Sequence, residues 1–147
     1  MIPRDEFLKE ARRWIGTPYR HQASVLGIGA DCLGLVRGVW RNLIGPEPEI
    51  APAYSPDWSE PAGDEALLRA AFRWLVPKPA DSSDIAEIIV FRMRDQGVAK
   101  HLGITAKANG GPTFIHAYND HGVVESSLPR PWQRKIIARF DFPQGVK

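Results

Sequence analysis

The chain predicts an α+β fold, with helices first, short strands afterwards, and a sheet that is mostly antiparallel. Three observations carry this. Apolar residues recur at helical spacing in three stretches before Pro77. After Asp84 the period changes to short runs rich in β-branched and aromatic residues. Gly, Asn, Asp and Pro turns separate those runs at hairpin distance, which joins neighbours antiparallel. At 147 residues the expectation is one domain, spanning 1–147, large enough to bury a core without staples.

The first helix is predicted from Pro3 at the first helical position, with Asp5 and Glu6 in its first turn. Phe7, Ala11, Trp14 and Ile15 form its apolar face and Gly16 closes it. Gly16-Thr17-Pro18-Tyr19 is a turn, followed by a Gly-rich loop from Arg20 to Ala30 that carries His21. Asp31 is a good N-cap for a second helix, whose Cys32, Leu35, Val36, Val39 and Leu43 lie on one face before Gly45-Pro46 ends it. Gly34 and Gly38 each cost about 1 kcal/mol against Ala in a helix, so close packing is expected on their side. Prolines from Gly45 to Pro61, with Tyr54 and Trp58 between them, predict a crossing loop. Asp64 and Glu65 then open a third helix with Leu67, Leu68, Ala71, Phe72, Trp74 and Leu75 as its apolar face, stopped by Pro77 and Pro79. Strands are expected over Glu87–Met93, His101–Ala106, Thr113–Tyr118, Gly122–Ser126 and Lys135–Phe140.

Composition narrows the function classes. With 44% apolar and 24% charged residues the chain reads as an ordinary globular protein. The single cysteine excludes an internal disulfide framework and any thiolate-rich zinc site. A net charge of +2 with scattered arginines predicts no nucleic-acid partner, though it suits an anionic target. No apolar run reaches membrane-spanning length, so no membrane partner is expected. The polar opening Met1-Ile2-Pro3-Arg4-Asp5-Glu6 lacks the apolar core of a signal peptide, so synthesis in the cytoplasm is expected.

Cys32 is the residue to explain. In the first turn of a helix its thiol sits near unpaired N–H groups and the positive dipole end, which favours thiolate and offers donors to an oxyanion. The plain alternative is a small buried apolar residue. If Lys107 to Pro112 is a tight connection, the strands with His101 and His116 are hairpin partners. A register centred between Ala108 and Asn109 puts the two histidines opposite each other, and one centred on Asn109-Gly110 makes them same-face diagonal neighbours. A slip of one would separate them. His101, Gly103 and Thr105 share a face, and the glycine leaves room there for something to approach. The pattern fits a relay with Cys32 as nucleophile, His101 as base and His116 orienting His101. A satisfied structural histidine pair, or a zinc site of His101, His116 and His121 with Asp120, are the alternatives; the latter matches no tight ligand spacing. Tyr19 fits either a core aromatic or a hydroxyl offered to an oxyanion.

Taken in order, Gly16-Thr17-Pro18-Tyr19, Asp31-Cys32-Leu33-Gly34-Leu35-Val36, His101-Leu102-Gly103-Ile104, Phe114-Ile115-His116-Ala117 and Gly122-Val123-Val124 resemble the motifs of the NlpC/P60 family of papain-like cysteine peptidases. The resemblance covers most of the chain. It implies a papain-like fold with the nucleophile at a helix start, Cys32, His101 and His116 as the catalytic set, Tyr19 beside the nucleophile, and no metal or cofactor. Asp31 and His21 are candidate substrate contacts. It also implies hydrolysis of peptidoglycan stem peptides, such as the D-glutamyl–diaminopimelate bond. An acyltransferase or amidase on the same residues and a catalytically silent tail-assembly module are the rivals. The Pro- and Trp-rich insertion around Tyr54 to Trp58 looks more like the phage tail and gene-transfer-agent branch, which implies phage-like tail proteins as partners and a place on the virion tail. Leu33 stands where the family often has Ser, Arg20-His21-Gln22-Ala23 replace a Gly-Gly pair, and Ala86-Glu87 replace a Gly-Asp.

Overall fold

The computed structural model describes residues 1–49, 65–94 and 97–144. The Tyr54–Trp58 insertion and the predicted helix start at Asp64 lie outside the described residues. Within them the chain runs α1 (Arg4–Arg13), β1 (Ser24–Val25), β2 (Gly29–Ala30), α2 (Cys32–Leu43), α3 (Ala66–Trp74), β3 (Val76–Lys78), β4 (Glu87–Arg92), β5 (Ala99–Ala108), β6 (Gly111–Tyr118), β7 (Gly122–Ser127), α4 (Arg130–Gln133) and β8 (Ile136–Asp141). Six strands form one sheet in the order β3-β8-β4-β5-β6-β7, every neighbouring pair antiparallel. The predicted α+β class is the one found.

Helices α1, α2 and α3 cover one face of this sheet, where Phe7, Ala11, Leu35, Val39 and Leu67 meet Ile88, Val90, Leu102, Ile104 and Ile115 in the main core. On the opposite face a small second cluster gathers Ile89, Phe91, Phe114 and Leu128, with Trp132 of α4 packed against it. α1 and α2 approach closely because Gly38 has no side chain: a Cβ there would lie 2.0 Å from Cζ2 of Trp14. Gly34 likewise lets the preceding loop settle on α2, since its Cβ would lie 1.9 Å from the carbonyl oxygen of Ala23.

Several element details differ from expectation. Pro3 is the N-cap of α1, in extended conformation, rather than its first helical residue. Ile15 falls beyond the end of α1 and is exposed. Phe72 is 55% exposed and touches Phe140 only edge-on, so the apolar face of α3 is narrower than its sequence suggests. The loop before Cys32 contains the two-residue strands β1 and β2. α3 ends at Trp74, ahead of Pro77 as expected, and Pro77 itself sits in β3 at the sheet edge, where a missing N–H costs least.

Candidate active site

Asp31 begins the site. Its Oδ1 accepts from the backbone N–H of Gly34 at 2.7 Å, the N-cap bond that starts α2 at Cys32. Its Oδ2 accepts from the N–H of Gln22 at 2.7 Å and lies 3.8 Å from Nδ1 of His21. One buried carboxylate thus fixes both the helix start and the loop in front of it. Cys32 points to the core side as its helical position predicts, with 7% of its surface exposed. The N–H groups of Cys32, Leu33 and Leu102 all reach its sulfur, and Leu102 follows His101 on β5.

The histidines meet through the hairpin. Asn109 and Gly110 have φ of 54° and 78°, the left-handed pair of a two-residue turn that closes Ala108 on Gly111. Of the two registers considered, the one centred on Asn109-Gly110 is therefore realised, and His101 and His116 are diagonal neighbours. Their rings are edge to face, with His101 Nε2 2.8 Å from His116 Nδ1. The space left by Gly103 is taken by the hairpin itself: a Cβ there would lie 2.8 Å from Cδ2 of Phe114 and 3.2 Å from Cβ of His116. A register shift between Phe91 and Arg92, which pairs Arg92 with Ala99, leaves Lys100 as the extra residue beside His101.

A cavity of about 180 Å³ is lined by Cys32, His101, Tyr19, His21, Asp31 and Lys100, together with Met93, Ala117, Tyr118 and Asn119. Every predicted site residue except His116 lines it, and His116 stands behind His101 in the sheet. A larger cavity of about 300 Å³ between α2 and α3 contains neither histidine nor the cysteine. The zinc set is not assembled: among the described residues no three His, Cys, Asp or Glu are grouped to hold a metal ion, and His121 stacks on Tyr118.

Electrostatics runs against the expectation of a lowered thiol pKa. Burial pushes the Cys32 thiol up to about 12, with the Asp31 carboxylate adding to the rise, and the three N–H groups pull it down less than that. Burial pushes His101 down to about 3, helped by His116, and takes His116 down to about 4. The phenol of Tyr19 is raised, first by burial and then by Cys32 and Asp31. Burial therefore favours the neutral thiol and the neutral imidazole over a charged pair.

Two contributors were not anticipated. Ser126 places its Oγ 3.2 Å from Nε2 of His116. Its signal was available, since Val124 pairs with His116 and a residue two further along shares its face. Trp132 stands edge-on to both histidine rings, at 6.3 and 6.0 Å. It comes from α4, four residues long and too short to show a period.

No family model and no curated protein matches the chain. Solved structures do. The NlpC/p60 domain of peptidoglycan hydrolase SagA matches with a TM-score of 0.63 and 19% identity, over 96% of this chain and all of that one. An NLP/P60 family protein similar to lipoprotein, from Staphylococcus aureus subsp. aureus Mu50, matches at 0.61 and 17%, over 97% of this chain and 42% of its own. An NlpC/P60 family protein from Bacillus cereus ATCC 10987 matches at 0.63 and 16%, over 94% and 39%. The chain thus spans less than half of the staphylococcal and Bacillus chains and the whole of the SagA domain. These structures match the helices and antiparallel sheet over nearly the full length of this chain: the chain has the NlpC/P60 fold.

Proposed function

We propose that the chain is a cysteine peptidase that hydrolyses peptidoglycan stem peptides, the D-glutamyl–diaminopimelate bond among them. The observation that carries this is a helix-start thiol and His101 lining one cavity, with His101 hydrogen-bonded to His116 behind it. His101 Nε2 is engaged by His116, so Nδ1 is the nitrogen left for the thiol. On substrate binding, the Cys32 proton moves to His101 Nδ1 as the sulfur attacks the peptide carbonyl carbon. The N–H of Cys32, with the Tyr19 hydroxyl, holds the oxyanion. His101 then gives that proton to the leaving amine, and a thioester remains. Water, deprotonated by His101, releases the acid and restores the thiol. Asp31 and His21 belong to the wall that the substrate meets. The SagA domain, described as part of a peptidoglycan hydrolase, supports the substrate class.

Cys32→Ser should fold normally and release no free diaminopimelyl fragments from purified peptidoglycan, by mass spectrometry of the digest. Wild-type activity in this variant would sink the cysteine mechanism. Burial that disfavours the charged forms of Cys32 and His101 is what favours a silent tail-assembly module. Stoichiometric alkylation of Cys32 without turnover on any wall substrate would establish that reading. Action from a phage-like tail is the finest part of the proposal and is supported by the character of the Tyr54–Trp58 insertion alone. Immunogold labelling of particle tails tests it, and unlabelled tails refute it.

A further inference from the structure

We infer that Ser126 is a positioning residue: its hydroxyl accepts the Nε2–H of His116 and so sets the direction of the hydrogen-bond chain that leaves His101 able to take a proton. The inference rests on the proposed roles of Cys32 and His101. Three groups stand in line, with His101 Nε2 2.8 Å from His116 Nδ1, and His116 Nε2 3.2 Å from Ser126 Oγ. Each neutral imidazole carries one proton, so the line can run in two directions. In the first, His101 Nε2–H donates to His116 Nδ1, His116 Nε2–H donates to Ser126, and His101 Nδ1 is a free lone pair. In the second, His116 Nδ1–H donates to His101 Nε2, which puts the remaining His101 proton on Nδ1 and blocks it as a base.

What decides between them is the far end. His116 is 3% exposed, so an N–H at its Nε2 cannot turn to bulk water for an acceptor. Without Oγ the first arrangement would bury an unpaired N–H. The second would bury only an unpaired ring lone pair, the more tolerable of the two. A hydroxyl there can accept from Nε2–H or donate to a bare Nε2, so Ser126 removes the larger of the two penalties and favours the productive direction relative to an apolar residue at that place. The stacking of Phe114 on the His116 ring, with centroids 4.0 Å apart, opposes escape by ring rotation. Once His101 is protonated, both of its N–H groups donate, and only His116 with a free Nδ1 can receive the one at Nε2.

The test reads the proton directly. Nitrogen-15 NMR of the full chain, with His116 assigned by comparison with His116→Gln, should show a pyrrole-type Nε2 and a pyridine-type Nδ1 in the wild type. Ser126→Ala should move His116 towards the opposite tautomer, and Ser126→Thr, which keeps a hydroxyl, should hold the wild-type pattern. On a stem-peptide substrate, Ser126→Ala should lower kcat about tenfold, the scale of one buried hydrogen bond, with KM little changed and Ser126→Thr largely restored. A wild-type His116 protonated at Nδ1, or an unchanged tautomer in Ser126→Ala, overturns the inference. The wild-type spectrum requires no variant to fold. Because it also requires no substrate, failure of the peptidase proposal would appear as absent turnover and leave the tautomer result to be judged separately.

Discussion

Gly103→Ala tests whether the hairpin is packed to hold the histidines. The new Cβ would stand 2.8 Å from Cδ2 of Phe114, 3.1 Å from the backbone oxygen of Ile115 and 3.2 Å from Cβ of His116. The backbone oxygen is tied into the ladder, so the Phe114 ring must yield, and His116 is stacked on that ring at 4.0 Å. Overpacking of this kind costs about 1–3 kcal/mol, and Ala recovers about 0.5–1 kcal/mol of strand propensity over Gly. A net loss of about 1–2 kcal/mol should lower Tm by roughly 3–6 °C in a domain of this size. Displacing His116 also stretches its bond to His101, and losing about 1.5 kcal/mol of transition-state support would cut kcat roughly tenfold. Ile104→Val is the control. It lies on the same strand, fully buried on the opposite face, and should cost a comparable about 0.5–1.5 kcal/mol without touching kcat. Thermal melts and steady-state kinetics on a muropeptide decide the matter. An unchanged Tm, or a kcat that falls equally in both variants, would refute the reasoning.

On the proposed mechanism, His101→Ala should lose more activity than His116→Ala, and His116→Asn or His116→Gln should recover part of the loss because either amide can accept from the His101 ring; equal kcat for all three His116 variants argues against an orienting bond. Stability should depend on pH through the buried imidazoles. Burial holds their folded pKa values at about 3 and about 4, below the ordinary histidine value of 6.5. Above pH 6.5 both states are neutral and nothing is lost, whereas below it the unfolded chain gains protons that the folded chain refuses. Tm should therefore fall as pH drops from 6.5 towards 4, and His116→Gln should flatten that fall; an identical pH slope in the variant would contradict the burial argument.

How much of the site could be read from the sequence depended on whether a feature was local. The N-cap at Asp31, the helix from Cys32 and the Asn109-Gly110 turn are decided by neighbouring residues, and all three stand where local chemistry puts them. The turn fixed the register, and through it the meeting of His101 with His116. β3 was not legible because Pro77 carries the same signal at a helix stop and on an edge strand, and only the neighbouring β8 distinguishes them. Ser126 could have been found by extending the register one strand further. Trp132 could not, since its approach to the histidines comes from the path of the chain between β7 and β8. The insertion around Tyr54 to Trp58 lies outside the described residues.

The raised thiol pKa follows from the same distinction. A helix start is a local feature and its N–H groups do reach the Cys32 sulfur, but burial is a property of the whole fold and it dominates. Placing the sulfur against Leu102 of β5 is what brings it to the His101 strand and also what takes it from water. Proximity and a low thiol pKa therefore compete at this position. With burial favouring both neutral forms, the proposed reaction must meet the cost of charge separation when substrate is bound, when attack spreads the sulfur's charge onto an oxyanion. The groups that then matter are those that meet the new charges: N–H donors at the helix start for the oxyanion, and His116 for the imidazolium. The line from His101 to Ser126 meets the imidazolium formed in that step, so the proposed turnover depends on it as well as on the thiol.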